Sequence, residues 1–328
     1  MITLLLFAAG LVLIVAGSEL FTNAVEWAGF RLRLASGATG SLLAAWGTAL
    51  PETVVPVVAI ISRAPAADSV ATGAIVGAPF LLLTLGVAVT GLAVLARRGA
   101  TELSVDSGQA RRDLGTFFAA YTLVLIAVAL PLWLRAVVAA SVIVIYGIYV
   151  RAALRGGAPT EEMPEPLHLL RWYAGRPPGV AIAAQLLVAI AMLIVGAEFF
   201  VRALERSADA LQLPTLLLAL VLVPVATELP ETLNSILWIH SRDDGLAFGN
   251  VAGATAFQAC IGGAIGVAFT TWSPGKMGLA SAGLALLSSC YLLVLLRHGR
   301  CRGWLLTLSA VPWIAYVVVA GVAGGRLQ

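Results

Sequence analysis

The sequence predicts an all-α polytopic membrane protein, with ten transmembrane helices built as two inverted five-helix repeats. Four observations carry that expectation. Of the 328 residues, 60% are hydrophobic and only 11% charged, with a mean hydropathy of +0.97. Apolar runs of about 18 residues or more recur along the chain, each long enough to cross a bilayer as a helix. One acidic segment occurs twice: Thr48-Ala49-Leu50-Pro51-Glu52-Thr53 and Thr227-Glu228-Leu229-Pro230-Glu231-Thr232 agree at five of six positions. Finally, the basic residues crowd into alternate loops, as in a chain threaded repeatedly through a membrane.

Taken in order, the spans fall at roughly 2–30, 35–62, 69–95, 114–134, 136–154, 179–204, 213–240, 244–271, 276–296 and 303–324. The first, second, sixth and seventh exceed the roughly 20 residues needed to cross, so tilt or breaks are expected there. The N-terminus lacks a basic leader, so the first run reads as a spanning helix and not a cleaved signal. Alternating polar and apolar strands are absent from the sequence, which excludes a barrel. Cys260, Cys290 and Cys301 make neither a disulfide framework nor a zinc pattern. A net charge of +3 says little about partners, because the distribution matters more than the total; the lipid bilayer is the partner expected, and no nucleic acid.

With the N-terminus outside, fourteen of the 20 Lys and Arg residues lie in inner loops, from Arg31 through Arg97, Arg151 and Arg242 to Arg302. Six lie outside: Arg63, Arg135, Arg202, Arg206, Lys276 and Arg326. That bias places both termini outside, and a prokaryotic inner (plasma) membrane is the expected location, in keeping with the resemblance given below. The repeat also extends beyond the acidic segments. Gly17-Ser18-Glu19-Leu20-Phe21 matches Gly196-Ala197-Glu198-Phe199-Phe200 at an offset of 179, the offset that relates Glu52 to Glu231. The third span matches the eighth at 176. Residues 1–155 are then one five-helix repeat, 156–178 a cytoplasmic linker, and 179–328 the second repeat. Five is odd, so the two copies enter the bilayer in opposite senses, as in many secondary transporters.

The chemistry sits in segments 44–86 and 224–262. Pro51 and Pro230 cannot donate to the helix ladder, and each displaces the carbonyl four residues back, at Gly47 and Ala226. Carbonyls loosened at membrane depth need a partner, and a cation is a good one. Thr48 and Thr227 precede Glu52 and Glu231 by four residues, so hydroxyl and carboxylate share a face where the helix continues. Each half therefore offers hard oxygen ligands, a set that suits Ca²⁺ better than the strictly octahedral Mg²⁺. Two facing glutamates repel unless a divalent cation, monovalent cations or protons neutralise them.

These segments resemble the α-repeats of the cation/Ca²⁺ exchanger superfamily, in its prokaryotic Na⁺/Ca²⁺ exchanger branch. The family pattern Gly-Thr-Ser-Leu-Pro-Glu, followed by Gly-Asn-x-x-Gly-Ser-Asn, recurs here in altered form. The resemblance implies a secondary active antiporter with no cofactor, whose ligands are the transported inorganic cations, Ca²⁺ with Na⁺ or H⁺. It implies Glu52 and Glu231 as Ca²⁺ carboxylates, Thr48 and Thr227 as supporting ligands, and spans one and six sliding past a fixed core. A monomer is compatible with all of this.

Departures from the family pattern bear on the counter-ion. The serine after the threonine is Ala49 in one half and Glu228 in the other. The serine of Gly-Ser-Asn is Ala78 and Ala254, and the polar residue four positions on is Leu82 and Gln258. The first half reads Gly73-Ala74 where the second keeps Gly249-Asn250. Fewer hydroxyls and a third acid suit several Na⁺ ions less and protons better, so H⁺ coupling is the alternative, and a transport-inactive ion-binding relative a further one. Glu228 and Glu231, three apart, are neighbours on a helix and their titrations couple.

Other features are expected to be structural. No Ser/His or paired-Asp constellation supports an enzyme. Glu19 and Glu198 read as snorkelling or paired side chains near an interface. His168, His240 and His298 lack metal spacing and read as interfacial. Asp243-Asp244 starts or caps a helix. Glu161, Glu162 and Glu165 sit in a solvated loop, and Trp133, Trp172, Trp272 and Trp304 are expected to anchor span ends at the interface.

Overall fold

The structure is a computed structural model that describes residues 2–32, 49–63, 66–97, 101–154, 163–173 and 175–325, without the side chains of 229–230 and 321–325. Helices dominate, because a backbone in lipid must satisfy its own polar groups. Helix α1 (Ile2–Arg31) runs unbroken, and α2 (Pro51–Ser62) starts on its proline. The third span is α3 (Ala67–Leu81), a π-helical turn at Leu82–Gly86, and α4 (Val87–Ala96). Strand β1 (Glu102–Ser104) leads to α5 (Ser107–Ile126) and α6 (Leu132–Leu154).

The second half opens with α7 (Gly179–Leu211), followed by α8 (Thr215–Thr227) and α9 (Leu229–His240), which meet at Glu228. Then come α10 (Asp244–Phe257), a π-helical turn at Gln258–Gly262, and α11 (Gly263–Phe269). Helix α12 (Gly275–Leu295), strand β2 (Arg300–Arg302), α13 (Gly303–Thr307) and α14 (Ala310–Gly325) complete the chain.

Among the described residues, nine helical segments are long and apolar enough to cross a bilayer, and α2 is a shorter apolar helix. The predicted second span, 35–62, is thus represented by α2, and 35–48 fall outside the described residues. The spans Ala67–Ala96 and Asp244–Phe269 are the most buried and form the centre. Ile2–Arg31 and Gly179–Leu211 are much less buried.

Small residues set how the helices meet, since lipid gives no hydrophobic drive between them. A Cβ at Gly10 would lie 2.9 Å from the Gly196 carbonyl oxygen, and one at Gly17 would lie 3.1 Å from that of Ala189. Contacts therefore descend α7 as they ascend α1, and these two helices run antiparallel. A Cβ at Gly73 would meet Leu216 and Ala219, and one at Gly77 would meet Leu220 and Pro224. Helices α3 and α8 consequently run parallel.

The connecting segments gather at two ends. At one, β1 and β2 pair antiparallel, Leu103 opposite Cys301, and Arg31 donates to the Pro177 carbonyl. Arg97 also binds Asp244 there, and Asp244 accepts from the Ser104 amide at 2.8 Å. At the other end Arg135 donates to the Thr271 carbonyl at 2.6 Å, and the Thr271 amide donates to Asp68 at 3.0 Å. Asp68 and Asp244 stand 176 apart, the offset of their spans.

One expectation is met and one corrected here. Asp243-Asp244 starts α10, with Asp243 at the N-cap position but without a side-chain cap bond, while the Asp244 carboxylate holds Arg97. The cause is burial: a guanidinium at 8% exposure claims the nearest carboxylate. Trp272 is not an interface anchor. It is fully buried, folded into the space left by Gly266, with its indole N–H on the Val124 carbonyl at 2.8 Å. Trp133, Trp172 and Trp304 are exposed, as an interfacial role requires.

Candidate cation-binding site

Both Pro-Glu pairs begin a helix. Pro51 is the first residue of α2 and Pro230 the second of α9, positions where the missing N–H costs nothing. Each places its glutamate in the first turn, at the positive end of the helix dipole. The Leu50 carbonyl accepts from both Thr53 and Val54, which tightens the start of α2. At the α8–α9 junction the bend is shallow: the Glu228 amide still reaches the Pro224 carbonyl, and the Thr232 amide reaches that of Glu228.

These two starts converge. Glu52, Glu228 and Glu231 each bring a carboxylate oxygen within 4.8 Å of the other two. Their exposures of 4%, 1% and 0% mean that water does not screen them. Three ionised carboxylates this close in a low dielectric repel strongly unless positive charge joins them. Both oxygens of Glu52 and Oε2 of Glu228 are buried with no hydrogen-bond partner among the described residues.

Gln258 is the fourth member. It opens the π-turn after α10, and its amide nitrogen donates to Glu228 Oε1 at 2.8 Å, leaving its own Oε1 buried without a partner among the described residues. Thr227 ends α8, and its hydroxyl donates to the Val223 carbonyl at 3.1 Å, which leaves oxygen lone pairs to face a cation. Asn250, on α10, donates to the Glu231 backbone carbonyl at 3.5 Å. Thr48 lies outside the described residues. Of the six residues singled out in the sequence, Glu52, Glu228 and Glu231 meet directly, and Gln258 joins through Glu228.

Glu19 and Glu198 stand apart as side chains paired near the surface, Glu19 with His168 at 3.4 Å and Glu198 with Arg202. Sequence reasoning missed what surrounds Glu19. A cavity of about 500 Å³ is lined by Ser18, Glu19 and Glu26 of α1, by Glu165 and His168 of the linker, and by Asn234 of α9. Asn234 is three residues beyond Glu231, so about 5 Å of helix separates their backbones. The linker is strapped over this cavity by buried polar groups. Asn23 and Trp27 both donate to the Glu165 carbonyl, and Gln185 donates to Asn23 Oδ1 and the Leu20 carbonyl, each at 2.9 Å. Nothing along the chain around Asn23 and Gln185 signals this, since Asn23 meets Glu165 and Gln185 meets Leu20 from 142 and 165 positions away.

Comparison with known proteins fits this architecture. The chain is 26% identical over 262 residues to an uncharacterized membrane protein of Methanocaldococcus jannaschii, covering 80% of this chain and 79% of that one. Its fold is similar to the crystal structure of the H⁺/Ca²⁺ exchanger CAX, with a TM-score of 0.79 at 17% identity, over 98% of this chain and 85% of that one. It is also similar to the sodium-calcium exchanger NCX_Mj, with a TM-score of 0.65 at 20% identity, over 97% and 98% of the two chains. The family model for "Sodium/calcium exchanger protein" matches residues 2–155 and 181–322, and the chain belongs to that family.

Proposed function

We propose that this protein is a secondary active cation antiporter that exchanges Ca²⁺ for Na⁺ or H⁺ at Glu52 and Glu231, with alternating access. One observation carries the reading: two Pro-Glu helix starts, far apart in sequence, deliver buried carboxylates to one place. A positive ion would neutralise such a cluster. Inverted halves, 1–155 and 179–328 about the 156–178 linker, are supported by the antiparallel α1–α7 and parallel α3–α8 packings. Access from one side is supported by the cavity bounded by α1 and α9. With inner loops at the β1–β2 end, that cavity faces the cytoplasm, in keeping with the positive-inside bias.

Proton coupling is a second reading, favoured by Glu228, a third acid where the family pattern has serine. Calcium-45 flux in proteoliposomes tests both. Glu52→Gln and Glu231→Gln should abolish exchange, and normal exchange by both variants refutes the site. Uptake driven by a Na⁺ gradient at fixed pH, and insensitive to a pH gradient, refutes proton coupling.

A further inference from the structure

Helix α5 leaves the β1–β2 ribbon where α12 enters it, and the two pack side by side. The Ser289 hydroxyl of α12 donates to the Leu114 carbonyl of α5 at 3.4 Å, and next to the strands the Val105 amide donates to the Gly299 carbonyl at 2.8 Å. Along the stretch between these ties lies a small cleft, lined by Ser107, Ala110 and Arg111 of α5 and by Leu293, Leu296 and Arg297 at the end of α12. Two guanidinium groups thus reach one cleft from different helices. Both arginines are exposed, and among the described residues neither side chain has a hydrogen-bond or ion-pair partner. The nearby acids are engaged elsewhere. Asp106 accepts from the Gly108 and Gln109 amides at the start of α5, Asp113 is buried beside Arg112 at 3.8 Å, and Glu102 stands 4.0 Å from Arg302.

We infer that this cleft binds the phosphate of one anionic phospholipid, with Arg111 and Arg297 on its oxygens and Ser107 beside them, whichever cations the protein exchanges. A planar guanidinium offers paired N–H donors that match phosphate oxygens, and basic pockets between spanning helices suit anionic headgroups. Size argues against a soluble anion. Pockets for free ligands enclose about 300 Å³ or more, whereas this cleft, of about 10 Å³, admits one water-sized group. A ligand held there needs further contacts, and acyl chains find an apolar track along the same helices. Gly115 and Phe118 follow Arg111 by four and seven residues, on one face of α5. A Cβ at Gly115 would meet nothing within 4 Å, and Phe118 is exposed. On α12, Leu293 precedes Arg297 by four residues, and its neighbour Val294 is exposed.

Native mass spectrometry of the detergent-purified full chain, titrated with phosphatidylglycerol or phosphatidylcholine, tests this. The first phosphatidylglycerol should bind about tenfold or more tightly than phosphatidylcholine. Arg111→Gln and Arg297→Gln should each weaken it about fivefold, and the two together about 25-fold, the worth of one and of two basic residues at an anionic lipid surface. Both side chains are exposed, so these variants should fold like the parent. Arg111→Lys with Arg297→Lys, which keeps the charge, should retain most of the preference. Arg171→Gln, an exposed arginine of the linker outside the cleft, should bind like the parent. Equal affinity for the two lipids, a loss at Arg171 as large as that in the cleft, or parent-like binding by the double glutamine variant overturns the inference. So does glycerol 3-phosphate displacing the lipid at equal concentration, which would make the cleft a site for a soluble anion.

Discussion

Asp244→Asn is expected to lower stability by about 3–5 kcal/mol, the cost of leaving one member of a buried ion pair alone. Burial decides the size. An exposed pair is worth about 0–1 kcal/mol, but Arg97 and Asp244 are each only 8% exposed. The carboxylate accepts from both terminal nitrogens of Arg97 and from the Ser104 amide, three bonds in all. An asparagine keeps one acceptor oxygen and turns its other atom into a donor facing a guanidinium that also donates to the Glu102 carbonyl. At about 2–4 °C per kcal/mol, the midpoint of thermal unfolding in detergent should fall by roughly 6–20 °C, followed by helical circular dichroism at one scan rate. Replacing both partners, Arg97→Met with Asp244→Leu, should recover most of the loss, because an apolar pair leaves no charge stranded. A drop of less than about 2 °C for the single variant, or a double variant as unstable as both singles added together, refutes the reasoning.

The other expectations follow from particular contacts. Gly77→Ala puts a Cβ 2.4 Å from the Leu220 carbonyl oxygen, backbone that cannot give way, so about 1–3 kcal/mol of overpacking is expected in the same thermal assay. Gly115→Ala, with nothing within 4 Å of its Cβ, should be neutral or slightly stabilising, and equal losses at both sites would falsify the packing argument. Trp272→Phe strands the Val124 carbonyl and should cost about 1–3 kcal/mol; an unchanged midpoint would show that this bond carries nothing. Gln185→Leu removes the bonds to Asn23, to the Leu20 carbonyl and from the Leu169 amide, so the strap should loosen and trypsin should cut faster after Arg171. Unchanged cleavage rates exclude a strap held by Gln185.

Much of this was legible because bilayer physics writes itself into long windows of sequence. Apolar length located the spans that the structure describes, with boundaries shifted by a few residues: α7 runs to Leu211 where 204 was expected, and α5 starts at Ser107 where 114 was expected. Both extensions are polar or charged turns, which hydropathy discards although they remain helical. Glu52, Glu228 and Glu231 were legible because a carboxylate in an apolar span is costly and its repetition beside proline is improbable without cause. The Gln258 partnership was only half legible: the alignment of repeats placed it four residues beyond a lost serine, but its bond to Glu228 spans 30 residues and depends on the π-turn.

What stayed hidden has a common physical reason. An offset in sequence reports that two backbones are alike, and it says nothing of which atoms oppose each other across the axis relating them. Asp244 was legible as a helix start, which it is, but its bond to Arg97 was not, because Arg97 reaches it from 147 positions away. Trp272 read as an anchor because it follows the end of a span, whereas the space that receives it exists only because residue 266 is glycine. The π-turns carry no residue pattern of their own: Leu82-Leu83-Thr84-Leu85-Gly86 and Gln258-Ala259-Cys260-Ile261-Gly262 share only the final glycine. Their equal placement is a property of packing, with each extra backbone turn lodged at the same depth of an equivalent central helix. The two π-turns thus repeat in backbone while their side chains differ, Leu82 standing in one where Gln258 stands in the other.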